Sequence, residues 1–500
     1  MPVSSLARVS TSFVVRVAAL AVAPLLLAAC AAGPDFKAPA PPAVDGYAPR
    51  PVKTTAATPN VAGGSAQHFE AGAYIPGDWW TLFHSAPLDA LIETALKHNH
   101  DLKAAQAALR VAHENMLAQR GAFLPSVSAN LSASRQRQPG SLAPVPESNA
   151  FLYNLYTPQL SISYTPDVFG GNRRAVESLQ AQEQAARFQM IATWNTLASN
   201  VAVAAIQLAS LQAQIDATRQ LVDANTRMLD ILRYQYDKGY ASRVDLAAQE
   251  SQLAQTRATL PPLEKQLLQQ RDQLAVLAGR FPSQATGDQV RLDRLQLPTA
   301  LPLSLPSALV AQRPDVRQAQ ANLHAASAEI GVATAARLPN ITLSADAGST
   351  ALEFSRLFTG GTGFWDLGAG ITAPIFEGGS LLHQQRAAKA AYVEASEQYR
   401  STVLAAFQNV ADTLAALDQD AKALQSAAQA EQAAKLTLDL TEHQLKDGYA
   451  SNLQWLTAEQ TWQQARITLV QAQANRFADT AALYQALGGG WWHHPDLNKQ

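Results

Sequence analysis

Few residues in this chain are placed to do chemistry. Cys30 is the only thiol in 500 residues and stands directly after Leu27-Ala28-Ala29. Ahead of it lie Arg8 and Arg16, then an apolar run from Val17 to Ala29. A charged start, a short apolar stretch and small residues before a cut site make a secretory signal. The run is too short to cross a bilayer as a helix. With no second cysteine, the thiol has no disulfide partner in the chain. The other candidates are weaker. Asn99, between His98 and His100, is placed to cap a helix starting at His100. His493 and His494 are adjacent in a tail, a poor spacing for a metal. His113, His324, His383 and His443 fall within helical patterns and read as structural or solvated. No Walker loop, His-Glu-x-x-His or Gly-x-Ser-x-Gly occurs. The expectation is no enzyme and no metal site.

The Leu-Ala-Ala-Cys context resembles the bacterial lipobox, in which the thiol is acylated and becomes the mature N-terminus. That resemblance implies a covalent diacylglycerol and N-acyl lipid on Cys30 and no other cofactor. Ala31 follows where an Asp would retain many lipoproteins at the inner membrane, so the resemblance favours the outer membrane. The formal net charge of −2 carries no basic footprint for nucleic acid. Charged residues make up 16%, against about 25% in ordinary domains. Past Ala29 no run of about 18 apolar residues occurs, so no transmembrane helix is expected. Further membrane contact then requires strands in a closed barrel, because lipid cannot satisfy open backbone groups.

The elements that frame these residues are written twice. Asp101-Leu102 to Leu124-Pro125 returns as Asp315-Val316 to Leu338-Pro339. Lys238-Gly239-Tyr240-Ala241-Ser242 returns as Asp447-Gly448-Tyr449-Ala450-Ser451, and Leu277-Ala278-Gly279 as Ala486-Leu487-Gly488. Matches in the same order mean duplication. The expected organisation is a signal peptide over 1–29, a lipid-anchored Pro-rich tether over 30–62, a first repeat over 63–281, a linker over 282–306, a second repeat over 307–490 and a tail over 491–500. The tether, with seven prolines among small residues, reads as extended chain and not as core.

Each repeat holds one very long helix, over 172–236 and 379–445, free of proline. Leu197, Val201, Ala204, Leu208, Leu211, Ile215, Thr218, Val222, Asn225, Leu229 and Leu232 alternate spacings of four and three, a coiled-coil seam. A second stripe from Val203 to Ile231 means neighbours on two sides, as in a ring of helices; one thick bundle core gives the same periodicity. Shorter helices are expected near 88–97, 100–121 and 308–336, from 243 to a break at Pro261-Pro262, and over 451–487. Four segments, near 123–135, 151–166, 338–349 and 363–374, alternate apolar and polar residues. That is the pattern of barrel strands with a lipid face and a wet lumen, and equally of a half-buried soluble hairpin. The segments 136–150 and 350–362 read as external loops. Four strands cannot close a barrel of useful bore, so the chain must oligomerise.

This order of motifs resembles the outer membrane factors of bacterial efflux systems, the TolC-like family, and its OprM- and NodT-like lipoprotein branch. The carriers are the lipobox, Gly33-Pro34-Asp35-Phe36, Trp79-Trp80-Thr81-Leu82-Phe83, Phe169-Gly170-Gly171-Asn172-Arg173, Pro374-Ile375-Phe376-Glu377-Gly378-Gly379 and Ala486-Leu487-Gly488-Gly489-Gly490-Trp491. The resemblance implies a mainly α protomer with a small transmembrane β part. It implies a homotrimer that makes a twelve-stranded barrel and a long α-helical periplasmic tunnel. The implied function is a passive export duct for drugs and toxic compounds in a tripartite efflux pump. Its partners would be outer membrane lipid, a periplasmic adaptor and an inner-membrane pump of the RND type. A duct for type I protein secretion has the same architecture, and a trimeric coiled-coil scaffold is a third reading. The scaffold leaves both amphipathic hairpins and the lipobox unexplained.

The turns at the ends of the long helices, Gly239, Tyr240 and Ser242 and then Gly448, Tyr449 and Ser451, are plain helix-turn-helix grammar: glycine ends a helix and serine starts one. In the family these turns dock the adaptor and close the tunnel. Leu453 matches the family's apolar constriction. Gln454 and Thr457 stand where relatives hold acidic gate residues. Asp245 is the nearby carboxylate in the first repeat, at a position where the helix dipole alone would favour it.

Overall fold

The computed structural model describes residues 31–137, 152–285 and 290–498. Cys30 and positions 138–150 of the expected external loop lie outside them. The chain folds as two compact units.

Of the described residues, one unit comprises 31–38, those within 110–185 and Gln320–Gln398. At its centre is a four-stranded antiparallel sheet of Ser126–Arg137, Leu152–Tyr164, Asn340–Ser349 and Gly363–Thr372, in that order across the sheet. The register sorts side chains by polarity. Val127 stands opposite Ile162, which stands opposite Ala345, which stands opposite Leu367. One residue along, Ser128 faces Ser161, then Asp346, then Asp366. The period of two thus gives one apolar and one polar face. Segment 350–362, read as an external loop, carries a short 3-10 turn, Phe354–Arg356, and exposes Leu352, Phe354 and Phe358.

The other unit comprises Pro39–Leu109, Ala186–Ala319 and Tyr399–Gln500. Its core is aromatic. Trp79 and Phe83, on the 3-10 turn Trp79–Phe83, are fully buried. The Trp79 ring stacks on Tyr484 at 5.3 Å, and Phe83 meets Phe477 at 6.3 Å. A small parallel pair, His68–Ala71 with Ala300–Leu303, joins the start of the first repeat to the inter-repeat linker. Neither strand shows in the sequence, since four residues flanked by turns and prolines carry no periodicity.

Two helices of 67 residues, Gly171–Asp237 and Ser380–Lys446, run through the fold. At 1.5 Å per residue each is about 100 Å long. The first seam is buried at Leu197, Val201, Ala204, Leu208, Ile215, Leu229 and Leu232. The second stripe is buried at Ile206, Ser210, Gln214, Ala217 and Met228, while Ile231 is exposed. Contrary to the sequence expectation, Gly171–Asp237 contains one window apolar enough to cross a membrane by composition; 61% of that window is buried inside the fold, as in a core helix.

The single helix expected over 308–336 is two, Pro306–Gln312 and Pro314–Ala335. Arg313 between them is extended, with ψ 123°, because the residue before a proline is pushed out of the α region. The first repeat breaks likewise at Asn99, between Ala86–His98 and His100–Arg120. There Asn99 Oδ1 accepts from the Leu102 N–H at 3.0 Å, the expected cap. The break expected at Pro261-Pro262 falls just before them, between Arg243–Ala258 and Leu260–Leu277. The prolines sit in the first turn of the new helix, where no N–H is missed.

The Pro-rich segment is extended, but it is also packed, which the sequence reading did not expect. Phe36 stacks on His324 at 4.3 Å, Tyr47 packs on Phe407, and Thr55 is 3% exposed. A fixed, extended backbone loses little freedom on lying against a surface.

Candidate functional site

Three parts of the chain present surfaces from which a functional site is built. The first is the sheet. Its apolar face is bare: Val127 is 66% exposed and Trp365 75%. Its opposite face presents serines, Asn130, Gln159, Asp346 and Asp366. The outer strands, Ser126–Arg137 and Gly363–Thr372, each pair on one side only among the described residues. In lipid such open edges cost several kcal/mol per unpaired group, about enough to forbid an isolated protomer.

The second part is the pair of helix-end turns. Gly239 and Gly448 both have φ 80°. Gly239 N–H donates to Tyr236 O at 2.9 Å and Tyr240 N–H to Gln235 O at 2.8 Å; Gly448 and Tyr449 repeat this with Leu445 and Gln444. This is a Schellman closure. The following serines cap the return helices. Ser242 Oγ accepts from Asp245 N–H at 3.1 Å, and Ser451 Oγ from Gln454 N–H at 3.2 Å. Each third residue reaches back: Asp245 Oδ2 accepts from Ser242 Oγ at 2.7 Å, and Gln454 Oε1 from Ser451 N–H at 2.7 Å. Asp245 is therefore engaged in its own capping box. Thr457 Oγ1 likewise donates to Leu453 O on its own helix. Beside the charged residues Lys238, Arg243 and Asp447, the turns show aromatic and apolar side chains to solvent. Tyr240, Tyr449, Val244 and Leu453 are all well exposed. Beneath them Met228, Leu232, Leu246, Leu438, Trp455 and Leu456 form one cluster drawn from both repeats.

The third part is the start of the described chain. Ala32 N–H donates to Phe169 O at 2.9 Å. Arg174 Nε donates to Ala32 O at 3.0 Å, and its terminal nitrogens to Asp35 and Glu177, both at 2.7 Å. His324 Nε2 lies 2.9 Å from the second Glu177 oxygen. Gly33, with φ 90°, lies so close to Gly331 that a Cβ would approach Gly331 Cα to 2.4 Å. The sequence reading took His324 as structural or solvated and missed Arg174; the signal available was the adjacent pair Arg173-Arg174 at the start of a long helix. It missed Arg476 too, an arginine buried at 0% exposure. No group of three or more metal-binding side chains occurs among the described residues.

A sheet bare on one side and wet on the other, with an unpaired strand at each edge among the described residues, is the pattern of one sector of a membrane barrel. The comparisons name it. The outer membrane efflux protein model matches residues 91–280 and 305–489. The chain is 31% identical over 478 residues to the antibiotic efflux pump outer membrane protein ArpC of Pseudomonas putida, covering 95% of each. It is 32% identical over 416 residues to the pyoverdine export outer membrane protein OpmQ of the same species, covering 83% of this chain and 88% of that one. The solved outer-membrane channel OprN superposes with a TM-score of 0.81 at 26% identity, over 92% of this chain and 100% of that one. The chain belongs to the outer membrane efflux protein family. It is the outer membrane channel component of an efflux pump, a duplicated protomer whose trimer forms a β-barrel and an α-helical periplasmic tunnel.

Proposed function

We propose that the trimer is the exit duct of a tripartite pump. Its tips join a periplasmic adaptor and, through it, an inner-membrane pump of the RND type, and its cargo is small toxic molecules and drugs. The observation that carries this reading is the repeated tip. Two turns with the same φ and the same closure hold exposed Tyr240 and Tyr449 on a buried apolar cluster. A rigid turn with an exposed aromatic loses little freedom on binding. Gly239, Ser242, Gly448 and Ser451 fix the docking geometry, and Leu453 supplies an apolar constriction at the same end. Asp245 keeps its carboxylate at the turn without forming a ring of acids with the second repeat, where Gln454 stands. The names of the relatives, for antibiotics and pyoverdine, support small-molecule cargo. Cys30 carries the lipid, two residues ahead of Ala32, the first residue held by Arg174.

The test is a photo-crosslinking amino acid placed at Tyr240 or Tyr449 in cells. The expected outcome is an adduct with the adaptor at both positions and none from Glu114, which is exposed on a different helix. Absence of an adduct at both tyrosines would overturn the docking role.

A further inference from the structure

The duplication lets one part of the sheet serve as a guide to another. Where the chain leaves the strand Leu152–Tyr164 it reads Thr165-Pro166-Asp167-Val168-Phe169. Where it leaves Gly363–Thr372 it reads Thr372-Ala373-Pro374-Ile375-Phe376, the same motif in the second repeat. Likewise Leu124-Pro125, ahead of Ser126–Arg137, returns as Leu338-Pro339 ahead of Asn340–Ser349, and Val127 returns as Ile341.

In the middle of the sheet the two repeats meet. Leu152–Tyr164 pairs with Asn340–Ser349 as far as Tyr164 opposite Leu343. Just beyond that pair Val168, Phe169, Val332, Leu338 and Ile341 line one cleft, and all five are half-buried. Val168-Phe169 is thus a knob that the first repeat sets beside an apolar socket on the second. At the edges of the sheet the same parts stand apart. The second knob is bare, with Ile375 93% exposed and Phe376 87%. At the opposite edge the first repeat's socket is bare too, with Leu124 70% exposed and Val127 66%. Among the described residues both edge strands are unpaired on their outer sides. Grouped, exposed apolar side chains mark an interaction surface.

We propose that Ile375 and Phe376 of one protomer seat against Leu124 and Val127 of the next, so that the contact made between repeats within a chain is made again between chains. A knob at one edge and a socket at the other give a head-to-tail contact, which closes into a ring when the rotation fits. The trimer then carries one kind of junction six times around the end of the barrel where the long helices begin, three within chains and three between them. The knob also selects the pairing. Backbone groups at an open edge accept any other edge, but two knob edges brought together would leave both sockets bare.

The experiment is a photo-crosslinking amino acid at Phe376 in the full-length protein in cells. Phe376 is exposed in the protomer, so the change leaves the chain's own core intact. On a denaturing gel the adduct should run at two or three chain masses, and its peptides should map to residues 117–127. The same amino acid at Phe169 should give adducts within one chain, to residues 332–341. From an intact trimer, an adduct of Phe376 with lipid alone, with its own chain alone, or with nothing would overturn the proposal. A second measurement is heat dissociation of the detergent-solubilised trimer. Phe376→Ser and Leu124→Ser should each lower the dissociation temperature, and the double variant should lose little more than either alone, because both remove one contact. Fully additive losses would overturn it. Neither measurement involves the adaptor, so the outcome is separate from that of the tip reading.

Discussion

Gly239 and Gly448 are held at φ 80° with open space where a Cβ would go. Any side chain there fits, so the penalty of substitution is backbone strain alone, about 1 kcal/mol or more. Such local features were legible in the sequence: the glycine stop, the serine cap and the Asn99 cap all act within five residues. Arg174 and Arg476 were not, because their partners lie far along the chain, 139 residues away for Asp35 and 421 for Thr55. Periodicity reports which face of a helix is buried and says nothing of a polar group's distant partner. Leu453 is the residue-scale test of the constriction. It is 64% exposed in the protomer, so Leu453→Ala removes no buried core. Single-channel conductance in planar bilayers should rise, and cells should admit large antibiotics. Unchanged conductance would remove Leu453 from the gate.

The strands divide their residues by alternate position, and this alternation located all four of them in the sequence. Within segment 350–362 the sequence does not reveal that Ser349 Oγ and Thr362 Oγ1 join across it at 2.8 Å. The split at Arg313 was misread because the helical pattern continues on both sides of Pro314. The two faces of the sheet make opposite demands. Leu367, 72% exposed on the apolar face, should tolerate charge poorly. Leu367→Lys should destabilise the barrel by about 2–4 kcal/mol near the bilayer midplane, while Ser128→Lys on the polar face should leave stability near wild type. Urea unfolding in lipid vesicles compares them, and equal effects would mean the faces are assigned the wrong way round.

At the scale of the whole molecule, the sheet's open edges and bare face make sense only in the trimer. Native mass spectrometry of the purified protein should give three chains and, on each mature N-terminus at Cys30, the added mass of the lipid. A folded monomer would contradict the first statement, and an unmodified N-terminus starting elsewhere would contradict the second. The two tip turns of each chain share one geometry and differ in their charged residues: Lys238, Arg243 and Asp245 in one repeat answer to Asp447, Asn452 and Gln454 in the other. The third residue of the return helix is Asp245 in one repeat and Gln454 in the other. Around a threefold axis these turns make six stations of the same backbone shape carrying two alternating patterns of charge. A partner with sixfold symmetry can match every station in outline but only every second one in charge, whereas pairs of partner subunits, each pair treated as one unit, can match both.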